Sequence, residues 1–325
     1  MTHLIPATSR RRFLETAAGA AVVLGVGAPV FGQPAAATAS VGALFAGKVD
    51  DRGFMEAGWR GLERARVELG ATTSYIDNVL PQKELLVAAL TRLAESGVEL
   101  VVAHGGQNNE AASEVARQFP RLKFVVTQGD VTAANLSSYD VLQEESAYLA
   151  GVLAAKFTRT GVVGHMSGIR VRPGLKGRAA YAAGLRATDP RVRLLTNFSG
   201  NQDDNTLSRR VALAQIGAGA DVVFTMLNAG RNGVTEACRD KGTRQIGNVI
   251  DWVALDPKVF VGSAIADVGT GVFNAVRDLR DGRFQPGVVR KLGLADSAAV
   301  RLSVAEDVPI DLKAMIADVA DGIRS

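Results

Sequence analysis

The sequence predicts an α/β protein with two doubly wound lobes, each built on a parallel sheet. From residue 41 onward, short β-branched runs alternate with longer amphipathic segments, and this alternation occurs in two successive arrays. Repeated strand–helix–strand order favours parallel sheets with right-handed crossovers. The chain has 325 residues, 47% of them hydrophobic, which is a globular composition long enough for two lobes.

The first array predicts strands at 41–46, 72–76, 99–103 and 123–127, with helices at 54–69, 82–96 and 108–119. A short extended piece at 135–139 and a helix at 144–157 lead into the second array. There the pattern predicts strands at 161–166, 191–196, 221–225 and 245–249, with helices at 175–187, 206–217 and 232–241. A strand at 259–266 and helices at 268–280 and 311–323 complete the chain.

The N-terminus has the pattern of an export signal. Arg10 and Arg11 precede Phe13 and Leu14 in a twin-arginine arrangement, and a modest apolar run leads to an alanine-rich stretch. We therefore expect a signal peptide at residues 1–39, cleaved near Ala37 or Ala39, and a periplasmic protein. A membrane anchor is the alternative, but glycines and a proline interrupt a run too short to span comfortably. Since no cysteine lies near the cleavage region, we expect no stable membrane anchor.

Charge and motifs exclude several classes of protein. Removal of residues 1–39 lowers the formal net charge from +4 to +2, which favours neither nucleic acid nor an acidic membrane as partner. The chain has no glycine-rich phosphate loop after a strand and no Gly-x-Ser-x-Gly elbow, and only His104 and His165 remain outside the signal. We therefore expect no cofactor, no metal site and no catalytic residue. Cys238 is predicted to be a small buried residue.

The segment Val49–Met55 follows the first predicted strand and precedes the first helix, so it lies on a strand-to-helix loop. In an open parallel sheet, ligands bind beyond the carboxyl ends of the strands. Asp50, Asp51 and Phe54 would bring carboxylates and an aromatic ring to such a crevice, which suits a flat polar ligand. The alternative is that one aspartate caps the helix and Phe54 is its hydrophobic staple.

Several stretches between residues 41 and about 285 match one known family. They are Asp51-Arg52-Gly53-Phe54 with Trp59-Arg60-Gly61-Leu62, Phe119-Pro120-Arg121-Leu122-Lys123-Phe124, Ala147-Tyr148-Leu149-Ala150-Gly151, Gly217-Ala218-Gly219-Ala220-Asp221, and Ile246-Gly247 leading to Asp251. On these residues the chain resembles the basic membrane protein, or PnrA-like, substrate-binding proteins of ABC transporters. The resemblance implies a type I periplasmic-binding-protein fold, whose two lobes are joined by a hinge and close on a ligand. It gives lobe 1 as 40–138 plus about 262–284, and lobe 2 as 139–261 plus about 285–325.

Relatives in this family bind purine nucleosides or nucleobases, and others bind riboflavin or similar ring compounds, so the resemblance implies a purine-like ligand and permease subunits as partners. Family positions transfer only in part. A family asparagine falls on Met55, a family aspartate falls on Gln128, and a family lysine falls on Ala266. The expected ligand-binding residues are Asp50, Asp51, Phe54, Met55, His104, Gln107, Gln128, Asn228, Gly230, Asp251 and Trp252.

The sequence alone is compatible with more than one role for His104 and Trp252 and with more than one function. His104 is either a ligand donor or a partly exposed loop residue, and Trp252 is a candidate stacking platform next to Asp251. The protein is expected not to be an enzyme. The other hypotheses are a nucleoside-processing hydrolase that uses Asp50 and Asp51, or a binding protein for another heterocycle or a sugar-like ligand.

Overall fold

The computed structural model describes residues 38–324 of the chain. The predicted signal therefore lies outside the described residues, except for its last two positions. One of these, Ala39, is buried in the first core, and its carbonyl oxygen accepts a hydrogen bond of 2.9 Å from the amide of Thr72. Within the described residues, no helix is long and apolar enough to cross a membrane.

Twelve strands and ten helices alternate along the described chain. The strands are β1 Ser40–Phe45, β2 Thr72–Ile76, β3 Leu100–His104, β4 Lys123–Thr127, β5 Leu136–Val141, β6 Val162–Ser167, β7 Arg193–Phe198, β8 Val222–Met226, β9 Arg244–Val249, β10 Phe260–Ala266, β11 Val289–Leu292 and β12 Val300–Val304. The helices are α1 Phe54–Leu69, α2 Lys83–Ala94, α3 Asn109–Gln118, α4 Gln143–Phe157, α5 Arg172–Thr188, α6 Asn205–Gly217, α7 Arg231–Lys241, α8 Trp252–Leu255, α9 Gly269–Arg280 and α10 Ile310–Arg324.

The strands form two six-stranded sheets, one in each lobe. The order in the first sheet is β11-β5-β4-β3-β1-β2, and its neighbouring strands are all parallel. The order in the second is β12-β10-β9-β8-β6-β7, and only the β10–β12 pair is antiparallel. The predicted α/β class with two parallel-sheet lobes is confirmed.

The central strands are buried on both faces, which is why the sequence shows them as continuous apolar runs. All five residues of β3 and of β8 are buried. By contrast, β2 lies at the edge of the first sheet and alternates between exposed and half-buried positions. Helix α1 ends at Gly70, which has φ 69° and supplies the left-handed cap that glycine adopts at low cost.

The predicted bounds of α1, β2 and β4 agree with the structure, and the other predicted elements are displaced by up to three residues at their ends. Three short elements were not predicted, namely α8, β11 and β12. The two strands are four and five residues long and pair with partners far away in sequence, so local periodicity carries little signal for them.

The chain passes between the two sheets three times, after β5, after β10 and after β11. Strand β10 lies in the second sheet, although the expected boundaries assigned residues from 262 to the first lobe. Strand β11 pairs with β5 in the first sheet, although residues from 285 were assigned to the second lobe. The last strand of each sheet, β11 or β12, is therefore added only after the chain has visited the other sheet, and the local sequence pattern does not show this exchange.

Candidate functional site

The carboxyl ends of the parallel strands in both sheets meet where the two lobes approach each other. The loop after β1 comes from the first lobe, and the loop after β8 comes from the second. A Cβ built on Gly53 would lie 3.2 Å from the Cα of Asn228, so the loops touch at backbone level. Arg231 Nη1 donates a hydrogen bond of 3.4 Å to the carbonyl oxygen of Arg52. The structure is therefore a closed form of the cleft.

Asp51 caps helix α1, as one of the two hypotheses for this loop predicted. Its carboxylate accepts hydrogen bonds from the backbone amides of Gly53, Met55 and Glu56 at 2.8, 3.0 and 3.0 Å. Burial raises the pKa of Asp51 and outweighs these three amides, which act in the opposite direction. The neighbouring Asp50 is exposed. The two carboxylates therefore differ in environment, and Asp51 alone orders the loop.

Phe54 is the first residue of α1 and packs against the apolar cores of both lobes. Its ring lies 4.4 Å from the imidazole of His104, between centroids and with a tilt of 31°. His104 Nε2 lies 3.0 Å from the carbonyl oxygen of Phe54, and Nδ1 lies 2.7 Å from the hydroxyl of Thr127. Because a carbonyl only accepts, Nε2 carries the proton, and Nδ1 accepts from the hydroxyl.

His104 is fully buried at the end of β3, so the expectation of a partly exposed loop residue is wrong. Burial lowers its pKa to about 4, so the ring is neutral at neutral pH. Helix α1 approaches closely because residue 58 is glycine, where a Cβ would lie 2.5 Å from the imidazole. His104 therefore holds Phe54 in place, because its imidazole packs against the phenyl ring and its Nε2 donates a hydrogen bond to the Phe54 carbonyl oxygen.

Three other expected residues lie on segments that follow strands of the first lobe, and the side chains of Met55 and Gln128 have partners within that lobe. Met55 is buried in the first core, in contact with Gly47. The amide of Gln128 donates to the carbonyl oxygen of Val141 at 2.9 Å and accepts from its N–H at 2.6 Å. Gln107 is half-buried in the single 3₁₀ turn at Gly106–Asn108. Sequence position predicted the strand ends but not the direction of these side chains.

In the second lobe, Asp251 lies between β9 and the short helix α8. Its Oδ1 accepts hydrogen bonds from the hydroxyls of Ser303 at 2.7 Å and Ser263 at 3.3 Å, and from the amide of Ala254 at 3.3 Å. All three bonds end on the same oxygen. Because Ser263 lies on β10 and Ser303 on β12, Asp251 links the cleft to the strands beside the crossings between the lobes.

Asn228 and Gly230 form the turn between β8 and α7. Both of their amides donate to the carbonyl oxygen of Gln202, at 3.1 and 3.0 Å. A Cβ on Gly230 would lie 2.8 Å from that oxygen, so glycine allows the turn to pack against its neighbour. The turn is thereby held within its own lobe, at the place where it faces the first-lobe loop.

Arg231 was missed by the sequence analysis, although it lies at the centre of this contact. It is the first residue of α7, only 1% exposed, and its guanidinium carbon lies 3.3 Å from the centroid of the Trp252 indole. Trp252 is held in turn by a hydrogen bond of 2.8 Å from its Nε1 to the carbonyl oxygen of Asn248. The Trp252 face proposed for a ligand ring is therefore occupied by a cation in this closed form.

A positive charge at the start of a helix opposes the helix dipole. That departure from the usual pattern was the one sequence signal that could have indicated Arg231. The family lysine replaced by Ala266 had suggested a cleft with one cation fewer, but Arg231 supplies a cation from a different element. Among residues 38–324, no group of three metal-ligating side chains is placed to hold a metal ion.

Backbone strain is concentrated at the same edge of the sheets. The described non-glycine residues with positive φ are Arg52, Asn78, Gln128 and Val249, at 48°, 57°, 57° and 70°. Each follows, or ends, a strand at its carboxyl end. Val249 is the costliest case because it is β-branched. Such strain persists only where surrounding structure enforces it, and it is frequent at binding sites.

Ion pairs also join the lobes. Arg172 at the start of α5 lies 3.1 Å from both Asp130 and Asp140, which belong to the first lobe. Lys176, one turn further along α5, lies 3.5 Å from Asp140 and also pairs with Glu144. Asp140 is buried, so its pairing is screened less by salt than that of the exposed Asp130.

Two lobes whose strand ends face each other have the type I periplasmic-binding-protein fold, which solved sugar- and inositol-binding proteins share. The chain belongs to the family described as ABC transporter substrate-binding protein PnrA-like, which matches residues 38–317. It is therefore a non-catalytic, extracytoplasmic binding protein of an ABC transporter.

Individual relatives are distant. The chain is 25% identical over 261 residues to the ABC transporter nucleoside-binding protein BmpA of Lactococcus lactis, covering 74% of each chain. It is 22% identical over 256 residues to a purine-binding protein of Brucella abortus, covering 78% of this chain and 71% of the relative. A solved solute-binding protein from Aeropyrum pernix superposes with a TM-score of 0.78 at 21% identity, covering 88% of this chain and 91% of that one.

The two buried histidines predict a pH dependence of stability. Burial lowers the pKa of His104 to about 4 and that of His165 to about 3, below the ordinary value of 6.5. Below pH 6.5 the unfolded chain binds protons that the folded protein does not, so stability falls by about 1.4 kcal/mol per pH unit for each histidine. We expect a nearly constant melting temperature above pH 7 and a steady decrease from pH 6.5 toward 4.

Calorimetric melting across this pH range measures the effect. The variant with both His104→Gln and His165→Gln should show a smaller slope between pH 6.5 and 4, whatever its stability at pH 7. An unchanged slope in that variant would contradict the assignment of the pH dependence to these residues.

The contact at Gly53 predicts that closure is sensitive to a single methyl group. Gly53→Ala places a Cβ 3.2 Å from the backbone of Asn228, and such overpacking costs about 1–3 kcal/mol. We expect a larger radius of gyration by small-angle scattering than for the wild type. Gly217→Ala is the control, because a Cβ there meets nothing within 4 Å. Identical scattering from both variants would refute the closed contact.

Proposed function

We propose that this protein captures a purine-like nucleobase or nucleoside between its two lobes and delivers it to permease subunits of an ABC transporter. The observation that carries the proposal is the position of Phe54, an aromatic residue packed against the cores of both lobes at the mouth of the cleft. Because Phe54 contacts both lobes, its ring offers a ligand a stacking surface at the place where the lobes meet.

The polar groups around Phe54 support a heterocycle with several hydrogen-bonding atoms. Asp51 and Asp251 bring a carboxylate from each lobe, and the three bonds to Asp251 from neighbouring groups all use Oδ1. The Oδ1 atom of Asn248 is buried with no hydrogen-bond partner among the described residues. The relatives from Lactococcus lactis and Brucella abortus are a nucleoside-binding and a purine-binding protein, and they support the same class of ligand.

His104, Met55 and Gln128 have a supporting role in this proposal. They hold the loops from within the first lobe, whereas Asp50, Gln107, Asn228 and Gly230 remain candidates for ligand contact. Trp252 would reach a ligand through Arg231 and not by direct stacking, as long as the cleft keeps this closed form.

Phe54 and Asp251 act from opposite lobes, so we expect their contributions to be coupled. Phe54→Ala should weaken binding of adenine or guanosine by about 1–3 kcal/mol, the range for a base stacked on an aromatic residue. Asp251→Ala should cost about 1.5–3 kcal/mol by removing a charged acceptor. Since closure requires both contacts, the double variant should depart from additivity in a calorimetric double-mutant cycle.

Phe119→Ala is the control, because that ring is partly buried against the core at the end of α3, away from the strand ends of the cleft. Wild-type affinity in Phe54→Ala, or an equal loss in Phe119→Ala, would show that the site lies elsewhere. Mass spectrometry of a ligand that co-purifies with the protein provides an independent identification.

We also propose that the chain is exported through the twin-arginine route, on the pattern Arg10-Arg11 before Phe13-Leu14. Replacing Arg10 and Arg11 by lysine should leave the precursor in the cytoplasm, as measured by fractionation and immunoblotting. An unchanged periplasmic yield would contradict this proposal. Because Ala39 is buried in the first core, cleavage at Ala37 fits the folded protein better than cleavage after Ala39.

A further inference from the structure

Arg231 is the largest side chain that is almost completely buried, and it lies where the lobes meet. Its Nη1 donates to the carbonyl oxygens of Arg52 at 3.4 Å and Asn228 at 3.3 Å, one from each lobe. The flat guanidinium lies against Trp252, at 3.3 Å between its carbon and the ring centroid. Both features fix the orientation of the group, so its remaining donors have a defined direction.

The Nε and Nη2 atoms of Arg231 are buried and have no hydrogen-bond partner within residues 38–324. These two nitrogens form one edge of the guanidinium, and their N–H bonds point in the same direction. This edge binds two adjacent acceptor atoms at once, as in arginine–carboxylate pairs. A buried donor without a partner costs free energy, and here two such donors share one edge.

The charge of Arg231 is only weakly balanced by its surroundings. No carboxylate of the described residues lies within 4.0 Å of it, and Asp51 acts only at longer range while its oxygens accept the amides of α1. Burial lowers the pKa of Arg231 to about 10, so the group stays positive at neutral pH. The start of the eleven-residue helix α7 adds partial positive charge at the same place. A charge buried in this way is destabilising unless a counter-charge arrives.

We propose that Arg231 is an anion subsite of the cleft and that the ligand is a planar heterocycle with a negative charge on a pair of adjacent acceptor atoms. An acidic oxopurine fits this description, whereas neutral adenine does not. The inference rests on the proposed function, because it specifies the ligand class of the same cleft. Trp252 is a positioning residue in this arrangement, since it holds the guanidinium flat and its own N–H is anchored on Asn248.

Three probes separate the possibilities in calorimetric titrations at neutral pH. Urate is a planar purine anion, adenine is a neutral purine, and orotate is a planar carboxylate without the purine ring system. We expect urate to bind the wild type at least about tenfold more tightly than adenine, or about 1.4 kcal/mol. In Arg231→Met this preference should disappear, while the affinity for adenine stays within a few-fold.

The matched control is Arg239→Met, the same substitution on the same helix. Arg239 is mostly exposed and pairs with Asp256 at 2.8 Å, so its loss removes an equal charge away from the cleft. This variant should keep the preference for urate. Thermal unfolding without ligand gives a second readout: Arg231→Met should melt at or above the wild-type temperature, because an unpaired buried charge has been removed.

Each outcome has a definite meaning. Equal binding of urate and adenine to the wild type, or an unchanged preference in Arg231→Met, would overturn the anion subsite and leave the purine-binding proposal intact. A ligand-free Arg231→Met protein that melts well below the wild type would show a structural role and contradict the inference. Strong binding of orotate alone would support the subsite and refute the purine class. If none of the three probes binds, the anion subsite is refuted, and the purine-binding proposal is refuted as well only if guanosine also fails to bind.

Discussion

The contact on which the rest of the site depends is the backbone approach of Gly53 to the turn that begins at Asn228. Both loops follow parallel strands, so the sheets bring their carboxyl ends to one edge and the loops face each other there. A Cβ at position 53 would lie 3.2 Å from the Cα of Asn228, so a side chain there would press against the opposite loop. Because Arg231 closely follows Asn228 in the chain and lies against the Trp252 indole, the distance between the lobes determines whether their groups reach a ligand.

The lobes supply the rigidity that this contact requires. Asp51 uses three backbone amides to fix the first loop, and the carbonyl oxygen of Gln202 fixes the second by accepting two. His104 supports Phe54 from the buried side. Arg52, with its positive φ angle, lies inside the loop that the Asp51 carboxylate holds. Strain at the cleft is therefore offset by hydrogen bonds and packing within each lobe.

The sequence predicted the fold well because each strand and helix has its own hydrophobic periodicity, and the strand–helix unit is repeated along the chain. Long buried strands and amphipathic helices have clear periods, so α1, β2 and β4 were placed to the residue. The crossings between the lobes were not predicted to the residue, because β11 and β12 are short and pair with strands that are distant in sequence. The candidate site divides in the same way: Asp51, Phe54 and Asp251 were expected beyond the carboxyl ends of strands, and the structure has them on the segments that follow β1 and β9.

The direction of a side chain depends on neighbours that the local sequence does not contain. Met55, His104 and Gln128 follow the same positional rule as Phe54, yet each is satisfied inside its own lobe by Gly47, Thr127 or Val141. Arg231 was missed for the converse reason. The groups that surround Arg231 are Trp252, which is distant in sequence, and the backbone at Arg52 in the other lobe, and the local sequence shows neither.

The burial of Arg231 links ligand binding to closure. When the lobes separate, water solvates the guanidinium and accepts its hydrogen bonds, so Nε and Nη2 carry no desolvation penalty. When they close without a ligand, two donors and a charge lose water and gain no acceptor, so closure is penalised. A ligand that supplies both acceptors and a negative charge removes this penalty only in the closed state, and it therefore shifts the equilibrium toward that state. In this proposal one buried cation makes the equilibrium between open and closed lobes depend on the ligand, so the closed state is favoured only when the ligand is bound.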